Sequence, residues 1–313
     1  MATKINVHEI VTEKIATALE NGVCPWHKPW NAKGQAYMSR SGRPYSFLNT
    51  LLLMAQGKPE GEFLTFKQVT EEGGTIKKGA ESAIITFYTK LTIKDKSLTA
   101  TEQADEENED KVKTIPYLKY YRVFHISDCE GIEPKHITEE TKNEFEPIDA
   151  AEQLLADYLA ANEGLTFDEN GGDSAYYSIN NDAIHVPQRS TFESIEEFYS
   201  TAFHECGHST GHESRLNRPI KNRYGSVKYS EEELVAEIVA ACAVFHCGID
   251  SDKSFNDSVA YLKGWAAELR ENPKWFAVAS GRAEKAYKYL IGERESASKS
   301  EDNTKSVKEE KAA

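Results

Sequence analysis

Residues 203–215 read F-H-E-C-G-H-S-T-G-H-E-S-R, and the H-E-x-x-H inside this run constrains the chain more than any other feature. His204 and His208 stand four residues apart, so on a helix both imidazoles project from one face and can clasp one ion. Glu205, next to the first of them, is placed to take a proton from a water held there. The pattern arises by chance in on the order of one in a hundred chains of this length, so its surroundings have to decide. Ser194 and Glu197 form an S-x-x-E helix start. The other face of the helix is apolar through Ile195, Phe198, Ala202, Phe203 and Cys206. That arrangement buries the histidines, and a buried imidazole needs a partner.

A hydrolytic metal site of this kind takes three protein ligands and keeps one open position. His212 would serve only if the helix ran on through Gly207 and Gly211, and Gly211 reads as its end. The longer pattern H-E-x-x-H-x-x-G-x-x-H would put its last histidine at position 214, which is Ser. A carboxylate from the next helix remains. Glu233 and Glu237 are four apart in E-E-E-L-V-A-E-I-V-A-A, and Glu233 also closes a second S-x-x-E start at Ser230. The expectation is Glu233 as third ligand and Glu237 behind it, accepting an imidazole N–H, or the same pair with roles exchanged. The chemistry implied is metal-assisted hydrolysis of a peptide bond, with Zn2+ the default for two His and one Glu, and Mn2+ or Co2+ as alternatives. Residues 183–186 are the candidate sheet edge for an extended substrate. His185 on that strand either steadies an oxyanion or is an ordinary surface or core histidine.

The rest of the chain frames this site. Its 39% hydrophobic and 28% charged content over 313 residues is that of a soluble globular protein with room for two domains. No apolar run approaches the roughly 18 residues of a membrane span. The charge-studded N-terminus does not read as a signal peptide, and five cysteines without framework spacing point to a reducing, cytoplasmic setting. Net charge is −14, yet residues 1–90 carry 11 Lys+Arg against 8 Asp+Glu. A polyanion is therefore admissible as a partner of the N-terminal half only.

Helical spacing marks 8–20, 47–55, 150–161, 258–271 and 273–290, in addition to the two helices of the metal site. Strands are expected at 83–93 and 117–126, joined through the acidic stretch 99–110, and a hairpin at 175–179 and 183–186 turns on Asn180-Asn181-Asp182. The domain boundary falls within 130–146, and 294–313 is a charged, Ser-rich tail. In the N-terminal half Trp26, Trp30, Tyr37, Tyr45, Phe63 and Phe66 alternate with Lys28, Lys33, Arg40, Arg43 and Lys67, with Lys77 and Lys78 in a further basic turn. Cations that track phosphates, interleaved with rings that stack on bases, suit a single strand of nucleic acid. The same aromatics would equally serve as the core of a small domain.

The blocks VTEKIATALENGVCPWHKPW, SGRPYSFLN, FLTFKQVTEEGGTIKKG and YYRVFHISDCEG resemble the N-terminal domain of the ArdC-type antirestriction proteins. NNDAIHVP, FYSTAFHECGHSTGHESRLNR and EELVAEIVAA resemble that family's zincin-like domain, so the likeness runs over about residues 5–290 in order. The resemblance implies an α+β chain. A small mixed α/β single-stranded-DNA-binding domain (1–132) leads through a linker (133–148) to a mainly helical zincin-like metallopeptidase domain (149–293), then the tail (294–313); the acidic loop at 99–113 is peculiar to this sequence. The plan is similar to that of the Spartan-type proteases, which cleave DNA-bound proteins. On this view the chain protects DNA entering with a mobile element or phage. Its DNA contacts would come from Trp26, Lys28, Trp30, Arg40, Arg43, Tyr45, Lys67, Lys77 and Lys78. His204, Glu205 and His208 carry the resemblance at the site, and a protein of unstated identity is the substrate. The competing reading is a coat for single-stranded DNA in which the metal is structural.

Overall fold

Asn6 opens the first helix, α1 (Val7–Glu20), its side chain accepting the backbone N–H of His8. The buried stripe Val11, Ile15, Leu19 has helical spacing and faces the interior. This is a computed structural model, and it describes residues 6–26, 37–94, 112–136, 147–169, 172, 174–220, 227–249 and 259–293. The acidic stretch 99–110 and the tail 294–313 lie outside the described residues, as do Lys28, Trp30 and Lys33.

The N-terminal half is built on a four-stranded sheet. β1 (Tyr37–Ser39) pairs in parallel with β2 (Gly61–Thr65), β2 lies antiparallel to β5 (Val112–His125), and β5 lies antiparallel to β4 (Ala83–Lys94). The hairpin expected from the sequence is there, with longer strands. Helix α2 (Phe47–Ala55) lies along the outer strand β4. Asn49 exchanges hydrogen bonds with the backbone of Thr86, and Gln56 does the same with Ile84. Two side-chain amides thus satisfy backbone groups that an edge strand would otherwise present for pairing. The sequence reading left 61–76 unassigned. It holds β2, the short helix α3 (Phe66–Glu71) with a capping box between Thr65 and Gln68, and β3 (Thr75–Ile76), which pairs with β6 (Cys129–Glu130).

The C-terminal half opens with α4 (Pro147–Ala160). A three-stranded sheet follows, in the order β7 (Thr166–Asp168), β9 (Ala183–His185), β8 (Tyr176–Ser178). Then come α5 (Ile195–Ser209), α6 (Val227–His246), α7 (Val259–Glu271) and α8 (Trp275–Leu290). Leu234 through Val244 of α6 are buried apart from Glu237, the pattern of a helix enclosed on all sides. Ser230 does not start that helix. The helix begins three residues earlier, so Glu233 is released from the capping role the S-x-x-E pattern suggested.

The halves are not separate beads. One continuous core takes in Val11 and Ile15 of α1, Leu51 of α2, Leu269 of α7 and Phe276 of α8. Trp26, 1% exposed, packs edge-on against Trp265 and tilted against Phe276. Thr12 Oγ1 donates to the Pro273 carbonyl, and Arg270 pairs with Glu13 and Glu20. Among the described residues, no helix is long and apolar enough to cross a membrane.

Candidate metal centre

Ser194 caps α5, accepting the N–H of Glu197, as the sequence indicates. The helix ends at Ser209, so His212 lies beyond it. There its Nδ1 meets Ser214 Oγ at 2.8 Å, away from the metal cluster. Among the described residues, His204, His208 and Glu233 form the group whose possible ligand atoms converge, all within 4.8 Å of one another. Each Glu233 oxygen faces one imidazole: Oε2 lies 3.5 Å from His204 Nε2, and Oε1 lies 3.4 Å from His208 Nε2. Ligands about 2.0–2.1 Å from a tetrahedral ion stand roughly 3.3 Å apart, so these three side chains fit a single divalent ion with little movement.

Two glycines make the convergence possible. A Cβ on Gly207 would sit 3.1 Å from Ala236 Cα and 3.3 Å from Val239 Cβ, so α6 crosses close to α5 at this point. Ala236 is one turn beyond Glu232 and Glu233, and the close crossing carries both carboxylates to the histidines. A Cβ on Gly211 would meet Ile220 Cγ2 at 2.6 Å and the Arg218 guanidinium at 3.1 Å. The glycine leaves room for the segment that delivers Arg218.

Arg218 was not singled out from sequence, and neither was its partner. Its guanidinium holds Glu232 by Nη2 at 2.5 Å and Nε at 3.1 Å, and it also donates to Thr210 Oγ1 and the Gly207 carbonyl. Glu232 Oε1 in turn lies 3.4 Å from His208 Nδ1. The carboxylate behind His208 is therefore Glu232 and not Glu237. Glu237 is half-buried and outside the converging group. Burial works against a charged Glu232, but the bonds from His208 and Arg218 outweigh it and hold its pKa below the ordinary value. Glu233 behaves alike: burial is overcome by hydrogen bonds from His204 and His208, and its pKa falls. The site is a pocket for positive charge.

Glu205 has the opposite character. It is 7% exposed, and burial raises its pKa, with the neighbouring His204 and His208 pulling only part of the way back. A backbone N–H of Tyr177 reaches its carboxylate. A carboxylate raised from its ordinary value and facing an open cavity suits proton exchange with a water held there. That cavity, about 350 Å³, is bounded by Glu205, the three converging side chains, Glu232 and the β8 residues Tyr176 and Tyr177.

The sheet edge differs from expectation. β9 pairs with β7 on one side and β8 on the other, so residues 183–186 offer no free edge. β8 is the outer strand beside the cavity. His185 stacks on Tyr176 and lies 3.4 Å from Asp168 Oδ2, which is the ordinary role and not that of an oxyanion donor. Arg215 pins the turn before β9: it donates to Asp182 and Tyr177 and, through Nε, to the Ser209 carbonyl at the end of α5.

The proposed DNA contacts scatter. Trp26 is enclosed between helices and offers no face to a base. Arg40 is 7% exposed and committed to Glu62 at 2.5 Å, Glu72 at 2.5 Å and the Glu133 carbonyl at 3.0 Å. Its hydrogen bond holds the Glu72 carboxyl down at about 2. Both residues are structural, because an aromatic or a guanidinium is as useful to a core as to a ligand. Tyr45 is half-buried against Phe63, whereas Arg43, Lys67 and Lys78 are exposed and Lys77 donates to the Ser127 carbonyl.

Residues 5–124 match the N-terminal domain of anti-restriction factor ArdC, and residues 154–282 match a zincin-like metallopeptidase. Those two matches define the class: an α+β chain that joins an ArdC-type N-terminal domain to a zincin-like domain. Two crystal structures of the antirestriction ArdC protein from the R388 plasmid superpose with TM-scores of 0.65 and 0.66. One is metal-free and the other Mn(II)-bound, they are 27% and 26% identical to this chain, and each comparison covers 92% of this chain and 98% of that one. The chain belongs to the ArdC-type antirestriction proteins. Two Escherichia coli proteins named DNA primase TraC are 30% identical over 295 and 297 residues. The chain spans only 20% and 27% of their length. An uncharacterized protein, y4eC, of Sinorhizobium fredii is 26% identical over 96% of each chain.

Proposed function

We propose that this chain binds single-stranded DNA and hydrolyses peptide bonds of proteins that meet that DNA, protecting DNA that enters a restricting cell. The observation that carries the hydrolytic half is the pairing of a cation-seeking cluster with a buried, proton-ready Glu205 on one cavity. A metal with a purely structural role has no use for such a carboxylate. His204, His208 and Glu233 would hold the ion, with Zn2+ favoured by the ligand set and Mn2+ supported by the relative that binds it. When bound, the ion supplies Lewis-acid polarisation of the scissile carbonyl. Glu205 accepts the proton of the attacking water and returns it to the leaving amine. Glu232, steadied by Arg218, fixes the orientation of His208. The outer strand β8 offers backbone pairing to an extended substrate, which brings its carbonyl over the cavity.

Peptide cleavage tests this directly. The full chain, loaded with Zn2+ or Mn2+ and supplied with single-stranded DNA, is mixed with an unstructured protein such as casein, and new termini are counted by mass spectrometry. Cuts are expected with either metal or both and should vanish with a chelator. Cleavage that a chelator leaves unchanged would remove the metal from the mechanism.

A further inference from the structure

The β4–β5 ladder is a ribbon whose directly opposed residues share a face, and its register sets Ile85 against Tyr121, Phe87 against Lys119 and Thr89 against Tyr117. Near the sheet centre this face is core, with Ala83, Ile85 and Val123 buried. Further out it turns to solvent while staying aromatic. Phe87 is 48% exposed, Tyr121 46% and Tyr117 38%, with exposed Lys119 between the two tyrosines on β5. Phe87 and Tyr121 meet edge to face, with ring centroids 5.5 Å apart.

Three large rings facing water on one sheet face call for an occupant. Charge says which kind. The chain carries −14 overall, yet the positions that β4 and β5 place on this face include Lys119 and no Asp or Glu. A polyanion is the partner such a ribbon complements. A protein partner fits less well, because lysine is depleted at the centres of protein interfaces, and here Lys119 sits among the rings. Tyr117 and Tyr121, four residues apart on β5, stand about 13.6 Å apart along the strand, roughly four times the 3.4 Å rise of bases stacked within a duplex. The spacing suits separate, unstacked bases.

We propose that this face of the β4–β5 ribbon is the stacking platform for single-stranded DNA: bases lie on Phe87, Tyr117 and Tyr121, and Lys119 meets the phosphates between them. The assignment rests on the reading of the chain as a single-strand binder and moves the contact away from Trp26 and Arg40. Stacking accepts any base, so binding tolerates sequence and discriminates against duplex.

The test is fluorescence anisotropy of a labelled oligothymidylate with the full-length protein and the double variant Phe87→Ala/Tyr121→Ala. Affinity is expected to fall at least about thirtyfold, the size of two lost stacking contacts. Tyr121→Phe, which keeps the ring, should stay within about twofold of wild type. So should Tyr88→Ala, since Tyr88 is 55% exposed on the opposite face. Should the double variant fail to fold, Tyr121→Ala against Tyr121→Phe decides in the same way. If wild type binds and the ring variants bind as tightly, the platform is wrong and the single-strand reading survives. If wild type binds no oligonucleotide, the underlying reading fails with it. A change of oligomeric state in the double variant with DNA affinity intact would make this face a contact between copies and overturn the proposal.

Discussion

Glu205→Gln is expected to lower peptide cleavage by about 10²–10⁴-fold, the usual contribution of a positioned general base, while leaving metal affinity within about twofold. The substitution keeps the shape of a side chain that is 7% exposed, and it removes none of the three converging ligand atoms. Only the capacity to take a proton is lost. Initial rates on the casein digest measure the first quantity, and competition with a metal indicator measures the second. Retained cleavage with intact metal binding would assign the proton transfer to another group.

Metal affinity itself should rank Glu232, Glu233 and Glu237 of α6. Glu233→Gln removes one charged ligand that spans both histidines, 3.4 Å from one and 3.5 Å from the other. Its loss should exceed the roughly 10–100-fold that a change behind a ligand costs. Glu232→Gln should fall within that 10–100-fold range, because it loosens His208 and leaves Arg218 without its carboxylate. Glu237→Gln should have the smallest effect, being outside the cluster. Isothermal titration with Zn2+ and Mn2+ gives all three values. A larger loss for Glu237 than for Glu232 would reverse the assignment made here.

Much of the metal centre was legible in sequence because it depends on local periodicity. H-E-x-x-H on a capped helix brings His204, Glu205 and His208 together by spacing alone, and setting aside His212 and Ser214 leaves a carboxylate of the next helix, with Glu233 preferred to Glu237. The choice between Glu232 and Glu237 for the position behind His208 was not legible. It depends on how α6 rolls against α5, and that is set by the contact of Gly207 with Ala236 and Val239. Arg218 was invisible for a similar reason. It reaches the site from an irregular segment through room left by Gly211. The long strands and most helices announced themselves through alternation or 3.6-residue spacing. Two- and three-residue strands such as β3, β6 and β7 carry too few residues to show any period.

The N-terminal half was the harder part. A stretch of aromatics alternating with cations has the same composition whether it faces DNA or builds a core. Trp26 and Arg40 turned inward, Trp26 onto α7 and α8 and Arg40 onto Glu62 and Glu72. Of the rings left facing water, Phe87, Tyr117 and Tyr121 lie on β4 and β5, and only the register of the ladder shows that they share a face. The shared core between the halves was likewise absent from the sequence reading, since contacts between α1 and α7 join residues about 250 positions apart.

The most direct test of the account is transfer of unmodified DNA into a restricting host that expresses this chain, wild type against Glu205→Gln, at matched protein levels. Protection by wild type and its loss in the variant is the predicted result, and it would make proteolysis the means of protection. Equal protection by both would contradict it: the metal centre would then be structural, and the chain would act by covering the strand.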